Sequence, residues 1–541
     1  MHALLGSGVF WACSPSSTSN GPTGGVPASS TGGNVSAAGG STGTATGGST
    51  NATTGGSANA GTGGSSSTTG GTPTITSGGN TNTTSTGGAA SSGGSGGAPP
   101  SATGGSVTTA GKSGSGGGNS GGSNGGNSSA TGGSTSAGTA GAGGAGPDLS
   151  IEVYDSTKFP RFDFDLPAAS TTALNAIKNA DDPNQNTYVT ATFTYDKGGK
   201  NEVVNNVGIR LKGVGSFQPF NKKPAFKVKF DEFVDKQRFR GLARLVLNNL
   251  YDDGSFVAER LAYDVYRAAG VPAPRANSAS VYVNGAFYGV YTNIEAEDKH
   301  LISRWFQKEG GNLYEKEGTR DFVSAALSEF NLETNETAND TTDLKNLINT
   351  IQAATNPDTL LADLGKNMDT ANFLKFTAVE AAVNQWDTYA YTVFYVHNFR
   401  LYDDPATGKF HFIPWGLDLS MKPFDGNVKS YIEAFKLATD RAKAGAPVTA
   451  GLIFQRCMAS PSCKSSYKAA LQQVVTVYEG LNLEAAANRY YMQIKDQVAA
   501  DTRKATFNGP LTVQQFDSAF QSVVTTIRGR VAALRADIAA N

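Results

Sequence analysis

From Ser14 to Pro147 the chain is almost entirely Gly, Ser, Thr, Ala and Asn, with Lys112 as the only charged side chain. So little apolar surface cannot offset the entropy of ordering the backbone, and the stretch is expected to be disordered. It reads as a tether or stalk, and its Ser and Thr suit glycosylation. A folded core must therefore come from Asp148 to Asn541, where Phe, Tyr, Leu and Val recur among charges of both signs. That is enough chain for one large domain or two lobes. The formal net charge is −1 and no Lys/Arg run occurs, so neither nucleic acid nor an anionic membrane surface is an expected partner.

The N-terminus, residues 1–13, is a short apolar run ending Trp11-Ala-Cys13. It resembles the end of a bacterial lipoprotein signal peptide, in which the Cys is acylated, although it lacks a basic n-region and Phe10 and Trp11 are bulky for such a site. Export is the expectation, with Cys13 as the lipidation site and the tether as spacer. Acyl chains contribute roughly 0.8 kcal/mol per buried methylene, so several anchor firmly. No later run approaches the ~18 apolar residues of a membrane span. The expected location is the cell surface, as an outer-membrane lipoprotein, or otherwise extracellular. Cys457 and Cys463 close a short Pro-containing loop and are expected to form a disulfide in an exported protein. The four His residues are scattered without zinc-ligand spacing.

The folding part opens with strand-like sequence. Tyr188–Tyr195 alternates with period two, and Val203–Leu211 leads into Lys212-Gly-Val-Gly-Ser-Phe217. In Lys222–Phe230, Phe226, Val228 and Phe230 would face a core, and Lys227 and Lys229 would share the opposite face. A Gly-containing turn followed by a strand carrying lysines suits a phosphate-cradling lobe, and equally suits a plain turn beside solvated lysines. Phe256–Ala269 has helical spacing and ends at Gly270-Val-Pro. Ser280–Tyr291 reads as a hairpin turning on Asn284-Gly285. Glu295-Ala-Glu-Asp298 then opens a helix toward Trp305, where acids also compensate a helix dipole.

Further on, Asn384–Met421 sets Asp387, Asn398 and Asp418 at the ends of short apolar segments. A hairpin could gather them into one oxygen-rich pocket. The alternative for Asp387 and Asp418 is capping or turn duty.

The order of Arg210-Leu-Lys-Gly, Lys222-Lys-Pro, Leu261-Ala-Tyr-Asp, Gly270-Val-Pro-Ala-Pro-Arg275, Tyr282-Val-Asn-Gly, Glu295–Asp298, Asp387, His397-Asn398 and Pro414-Trp-Gly-Leu-Asp418 resembles the CotH family. The resemblance covers roughly residues 151–422. It implies an α+β, two-lobed atypical protein-kinase-like domain over 148–541, with an N-lobe over about 151–318 and a C-lobe over about 319–541. It also implies transfer of phosphate from ATP, with Mg²⁺ or Mn²⁺, to Ser or Thr of a protein on the cell or spore surface. By the same resemblance Asp387 and Asp418 are catalytic, and Asn398 and Asp418 are metal ligands. One of Lys222, Lys223, Lys227 and Lys229 meets the phosphates, with Lys227 favoured, and Glu295 is the lysine's partner or a further polar ligand. One departure bears on activity. The family pattern is Pro-Trp-Asp-Leu-Asp, and Gly416 replaces its first acid. The competing expectation is a catalytically inactive surface adhesin or binding module. A polysaccharide-degrading enzyme would need a carboxylate pair that no segment supplies.

Overall fold

The computed structural model describes residues 148–392, 395–423, 431–437 and 450–541. The expected tether and Cys13 lie outside the described residues.

Seven strands close into a barrel: β1 (Arg161–Asp165), β2 (Val189–Tyr195), β3 (Glu202–Lys212), β4 (Ala225–Lys229), β5 (Arg244–Asn248), β6 (Ala276–Val283) and β7 (Ala286–Glu295). Their order is β1-β2-β3-β4-β5-β7-β6, and β6 returns to β1. Every pairing is antiparallel except β1 with β6, where Phe164 lies opposite Val283. Closure removes free sheet edges. The alternation expected from the sequence fills the interior. Ile209 and Leu211 of β3, Phe226 and Val228 of β4, and Leu245 and Leu247 of β5 are all buried in one core with Phe162, Phe164 and Phe193. Rings meet edge-on, as Phe193 does with Phe230 at 5.5 Å. The period of two then forces Arg210 and Lys212, Lys227 and Lys229, and Val246 and Asn248 onto the outer face. The β6–β7 hairpin turns on Asn284 (φ 49°) and Gly285 (φ 77°), both left-handed as a type I′ turn requires.

Helix α1 (Ala168–Ala176) lies against β2, and α2 (Ala258–Ala268) runs between β5 and β6. Its apolar residues belong to the second, larger core, together with Val246. Beyond β7 come α3 (Lys299–Trp305), β8 (Leu313–Lys316), β9 (Phe330–Leu332), α4 (Thr342–Ala353), α5 (Leu360–Leu364) and α6 (Thr370–Ala382). Strands β10 (Phe399–Asp404) and β11 (Lys409–Pro414) form a hairpin in a four-stranded sheet of order β11-β10-β8-β9. The expected lobe boundary near Gly318 thus falls inside this sheet, between β8 and β9. Helices α7 (Leu452–Ala459), α8 (Pro461–Gly480), α9 (Leu483–Ala500) and α10 (Val513–Ala540) complete the larger lobe. Cys457 and Cys463 are joined by a disulfide between α7 and α8. The architecture is α+β, a barrel lobe followed by a helix-rich lobe with its own sheet. No helix among the described residues is long and apolar enough to cross a membrane.

Candidate functional site

The cleft between the lobes is built from the outer face of β3–β5, the start of α2, and the loops flanking the β10–β11 hairpin. On the barrel side, Lys212 is the last residue of β3, and its Nζ donates to Asn248 Oδ1 at the end of β5. Asn248 Nδ2 donates in turn to Glu259 Oε1 at 2.8 Å. One amide therefore bridges a cation and a carboxylate. Glu259 is fully buried in the first turn of α2, and its Oε2 has no hydrogen-bond partner among the described residues. Burial, followed by repulsion from Asp418, pushes its pKa well up, while Lys212 opposes the shift. Burial and the neighbouring Lys227 bring Lys212 down to about 8, against the pull of Glu259 and Asp418.

The loop leading into α2 is strained where it borders this cleft. Leu250 (φ 62°) and Phe256 (φ 60°) are bulky residues in the left-handed region, which costs each on the order of 1–2 kcal/mol. Asp253 holds the loop to the helix: its Oδ2 accepts from the backbone N–H of Ala258 at 2.9 Å and its Oδ1 from that of Ser255 at 2.9 Å. Asp252, beside it, faces the opposite lobe. Its backbone carbonyl accepts from Lys422 Nζ. Burial and then the carboxylates of Asp418 and Asp387 lift its pKa to about 7, with Lys422 opposing.

On the larger lobe, the expected hairpin forms and brings its two ends together, with Trp415 N donating to Asn398 O at 3.2 Å. Asn398 sits at φ 57°, a conformation Asn tolerates, and its Nδ2 donates to both Asp387 O (2.8 Å) and Asp387 Oδ2 (2.9 Å). His397 Nε2 lies 2.9 Å from Asp387 Oδ1. Burial works against the imidazolium, yet Asp387 raises the His397 pKa above its usual value. Asp418 lies in a single turn of 3₁₀ helix, Leu417–Leu419, that follows Gly416. Burial and Asp387 raise its pKa, while Lys422 and Lys212 oppose. Asp387, Asn398 and Asp418 are therefore brought together.

Gly416 fits this corner closely. Its φ is 59°, and a Cβ there would stand 2.7 Å from Asn398 Oδ1. Its carbonyl accepts from Gln385 Nε2 at 2.8 Å. The position holds no room for a side chain unless Asn398 moves.

The lysine assignments change. Lys223 is buried and its Nζ is 2.7 Å from Asp501 Oδ2 beyond α9, with Phe256 and Tyr291 under the ammonium. It ties the β3–β4 loop to the helical lobe and is not a free phosphate cation. Glu295 is bound instead by Arg275 (2.7 Å), Arg304 Nε (2.8 Å) and His300 Nδ1 (3.1 Å). These partners overcome burial and hold its carboxyl well below the usual range, so it is no partner of Lys227. Lys227 does line the cleft. It shares a cavity of about 240 Å³ with Val246, Glu297, Glu315, Glu333 and Trp415. Glu297 is 2.9 Å from Arg400 Nε, but burial carries its pKa to about 8. Lys212 Nζ stands 5.6 Å from the centre of the Trp415 ring, which also lines this cavity.

Lys212, Glu259 and Asp252 were not singled out in the sequence reading. For Lys212 a signal existed: it alternates with Arg210 on β3 as Lys227 does with Lys229 on β4. Glu259 and Asp252 come near Asp418 only through the fold.

Among the described residues, no three His, Cys, Asp or Glu side chains form a group that could hold a metal ion unaided. A magnesium-type site needs only one or two carboxylates, completed by water and substrate phosphate oxygens. Asp418, with Asp252 near it, and the Asn398 carbonyl oxygen are hard donors of that kind, so the residues present fit such an ion.

Inner spore coat protein H of Bacillus subtilis (strain 168) is 26% identical over 211 residues, covering 36% of this chain and 54% of the relative. The chain thus spans about half the length of that relative. Among solved structures, HipA in a HipA–HipB–operator DNA complex from Shewanella oneidensis MR-1 is similar at a TM-score of 0.26 and 10% identity, over 57% of each chain. The Helicobacter pylori proinflammatory kinase CtkA is similar at 0.22 and 11% identity, over 56% of this chain and 93% of its own. At these scores neither likeness bears on the chemistry of the cleft. The family described as "CotH kinase protein" matches residues 209–534, more than half of the 541 residues, and the chain belongs to the CotH family.

Proposed function

We propose that the protein is a phosphotransferase that moves the terminal phosphoryl group of ATP to a Ser or Thr hydroxyl of a protein, with Mg²⁺ or Mn²⁺. The observation that carries this reading is the meeting, in one cleft, of the Lys212–Asn248–Glu259 chain with the Asp387–Asn398 pair and Asp418. Phosphoryl transfer is chiefly positioning and charge neutralisation. Lys212 supplies positive charge at the phosphates, and Asn248 and Glu259 fix where that charge sits. A bound divalent cation supplies further neutralisation of the phosphate oxygens. Asp418 and the Asn398 carbonyl would hold it, with Asp252 reaching across from the barrel lobe. Asp387, held by Asn398 and faced by His397, accepts the proton of the attacking hydroxyl. The hydroxyl oxygen bonds to the γ-phosphorus as the bond from that phosphorus to the β,γ-bridging oxygen breaks, and ADP leaves with the bridging oxygen. The cavity beside Trp415 and Lys227 offers an aromatic face and hydrogen-bonding groups to the nucleoside end.

The spore-coat name of the relative supports an acceptor protein on a cell or spore surface, and a Cys13 lipid anchor would hold the enzyme there. Gly416 favours a second reading, a family member that keeps the fold as a surface-binding module without transfer. The two separate in an assay of the full chain with γ-labelled ATP, an acceptor mixture of surface proteins, and Mg²⁺ or Mn²⁺. Transfer predicts metal-dependent protein labelling that disappears in Asp387→Asn and in Asp418→Asn. No labelling and no thermal stabilisation by nucleotide would leave the binding module.

A further inference from the structure

Glu380 lies in the last turns of α6, fully buried, seven residues before Asp387 and out of reach of any bound substrate. Its carboxylate faces three donors from the segment that follows Asp387. Oε1 accepts from Thr388 Oγ1 at 2.6 Å and from Tyr389 N at 3.2 Å, and Oε2 accepts from Ala390 N at 3.0 Å. Among the described residues no cation shifts its protonation, and burial raises its pKa to about 8 against these three donors. A buried carboxylate without a counter-ion is costly. The Tyr389 and Ala390 amides can only donate, so a Gln would set its NH₂ against one of them or force the Thr388 hydroxyl to turn from donor to acceptor. The other side of the same loop is also fixed. Tyr389 OH accepts from Ile453 N at 3.0 Å, and Tyr389 O from Gly451 N at 3.0 Å.

We infer that Glu380 is the positioning residue for Asp387, its two oxygens locking residues 388–390 so that the Asp387 carboxylate stays aimed at the acceptor hydroxyl. The inference rests on the transfer reading for its kinetic part and on geometry alone for its structural part. Misplacement of a reacting group by about 1 Å costs on the order of 10²-fold in rate. Glu380→Gln should therefore lower kcat about 30- to 100-fold with the Kd for ATP within threefold of wild type, because Lys212 and Trp415 are untouched. Thr388→Val should lose part of the rate, and Thr388→Ser, which keeps the hydroxyl, should retain it. Hydrogen exchange of the full chain is the second readout. The Tyr389 and Ala390 amides should lose protection in Glu380→Gln while the β1–β7 barrel amides do not. Wild-type kcat in both Glu380→Gln and Thr388→Val, or unchanged protection at 389–390, would overturn the proposal. A wild-type chain that never labels protein refutes the transfer reading instead, and the exchange experiment still decides the anchoring. Should Glu380→Gln not fold, the Thr388 pair carries the test.

Discussion

At the scale of single residues, Gly416 stands where the resemblance to Pro-Trp-Asp-Leu-Asp implies an acid, and Asn398 fills the space beside it. Asn398 leans its carboxamide into the position where a Cβ would sit while its Nδ2 holds Asp387. Restoring the acid is therefore not a repair. Gly416→Asp should destabilise the fold by about 1–3 kcal/mol, from the left-handed backbone and the displaced Asn398, and should lower rather than raise transfer. A thermal melt and the labelling assay check both; a more active variant of unchanged stability would show that the missing acid limits the wild type.

Protonation gives the second residue-level prediction. The folded-state pKa of Asp252 is raised to about 7 from an ordinary 3.8, and that of Asp418 is raised as well. Between those two values the folded chain keeps a proton that the unfolded chain has released. Stability from this source is thus present at low pH and lost as pH rises toward about 7. A divalent cation must displace that proton, so its stabilising effect should grow from pH 6 to 8. Lys212, lowered to about 8, loses its charge above that value, and ATP affinity should then decline. Melting temperatures with and without Mn²⁺ at pH 6, 7 and 8 measure the first effect; a shift equal at all three would count against Asp252 and Asp418 as ligands. His397 carries the same sign: its pKa is raised above 6.5, so the stability from its ion pair with Asp387 is complete below that value and fades as pH climbs through the folded pKa.

At the scale of elements, much was legible because it is local. The period-two pattern fixed which side of β4 faces the core, Asn284-Gly285 fixed the hairpin, and the four-residue spacing located α2 to within two residues of its observed ends. The acidic run after β7 was legible in part: Asp298 does cap α3, accepting from His300 N at 2.9 Å. Glu295, three residues earlier, is instead the last residue of a strand and neutralises Arg275 and Arg304. Nothing in the local sequence distinguishes those roles. Closure of the barrel was also illegible, because β1 meets β6 across more than a hundred residues. The same holds for the lysines. Lys223 and Lys227 look alike in sequence, but only Lys223 is met by Asp501, 278 residues away. The local pattern reports which face a side chain takes, and the long-range fold decides what it faces.

At the scale of the whole molecule, the barrel lobe brings Lys212 and the buried Glu259, and the helical lobe brings Asp387, Asn398 and Asp418. Neither half is a site alone. The lobes are tied by Lys223 with Asp501, and by Arg503 Nη1 donating to the carbonyls of Asn221 and Lys222 at 2.9 Å each. The β3–β4 loop above the cleft is therefore held by the far C-terminal helices. The central claim is that Lys212, not Lys223, meets the nucleotide opposite Asp418. Calorimetric titration of the full chain with ATP, with and without Mg²⁺, tests it most directly. Binding should be metal-enhanced in the wild type, at least tenfold weaker in Lys212→Met, and stripped of its metal dependence in Asp418→Asn. Folded Lys223→Met should bind within threefold of wild type. Lys212→Met binding as the wild type does, while Lys223→Met loses the nucleotide, would contradict the account.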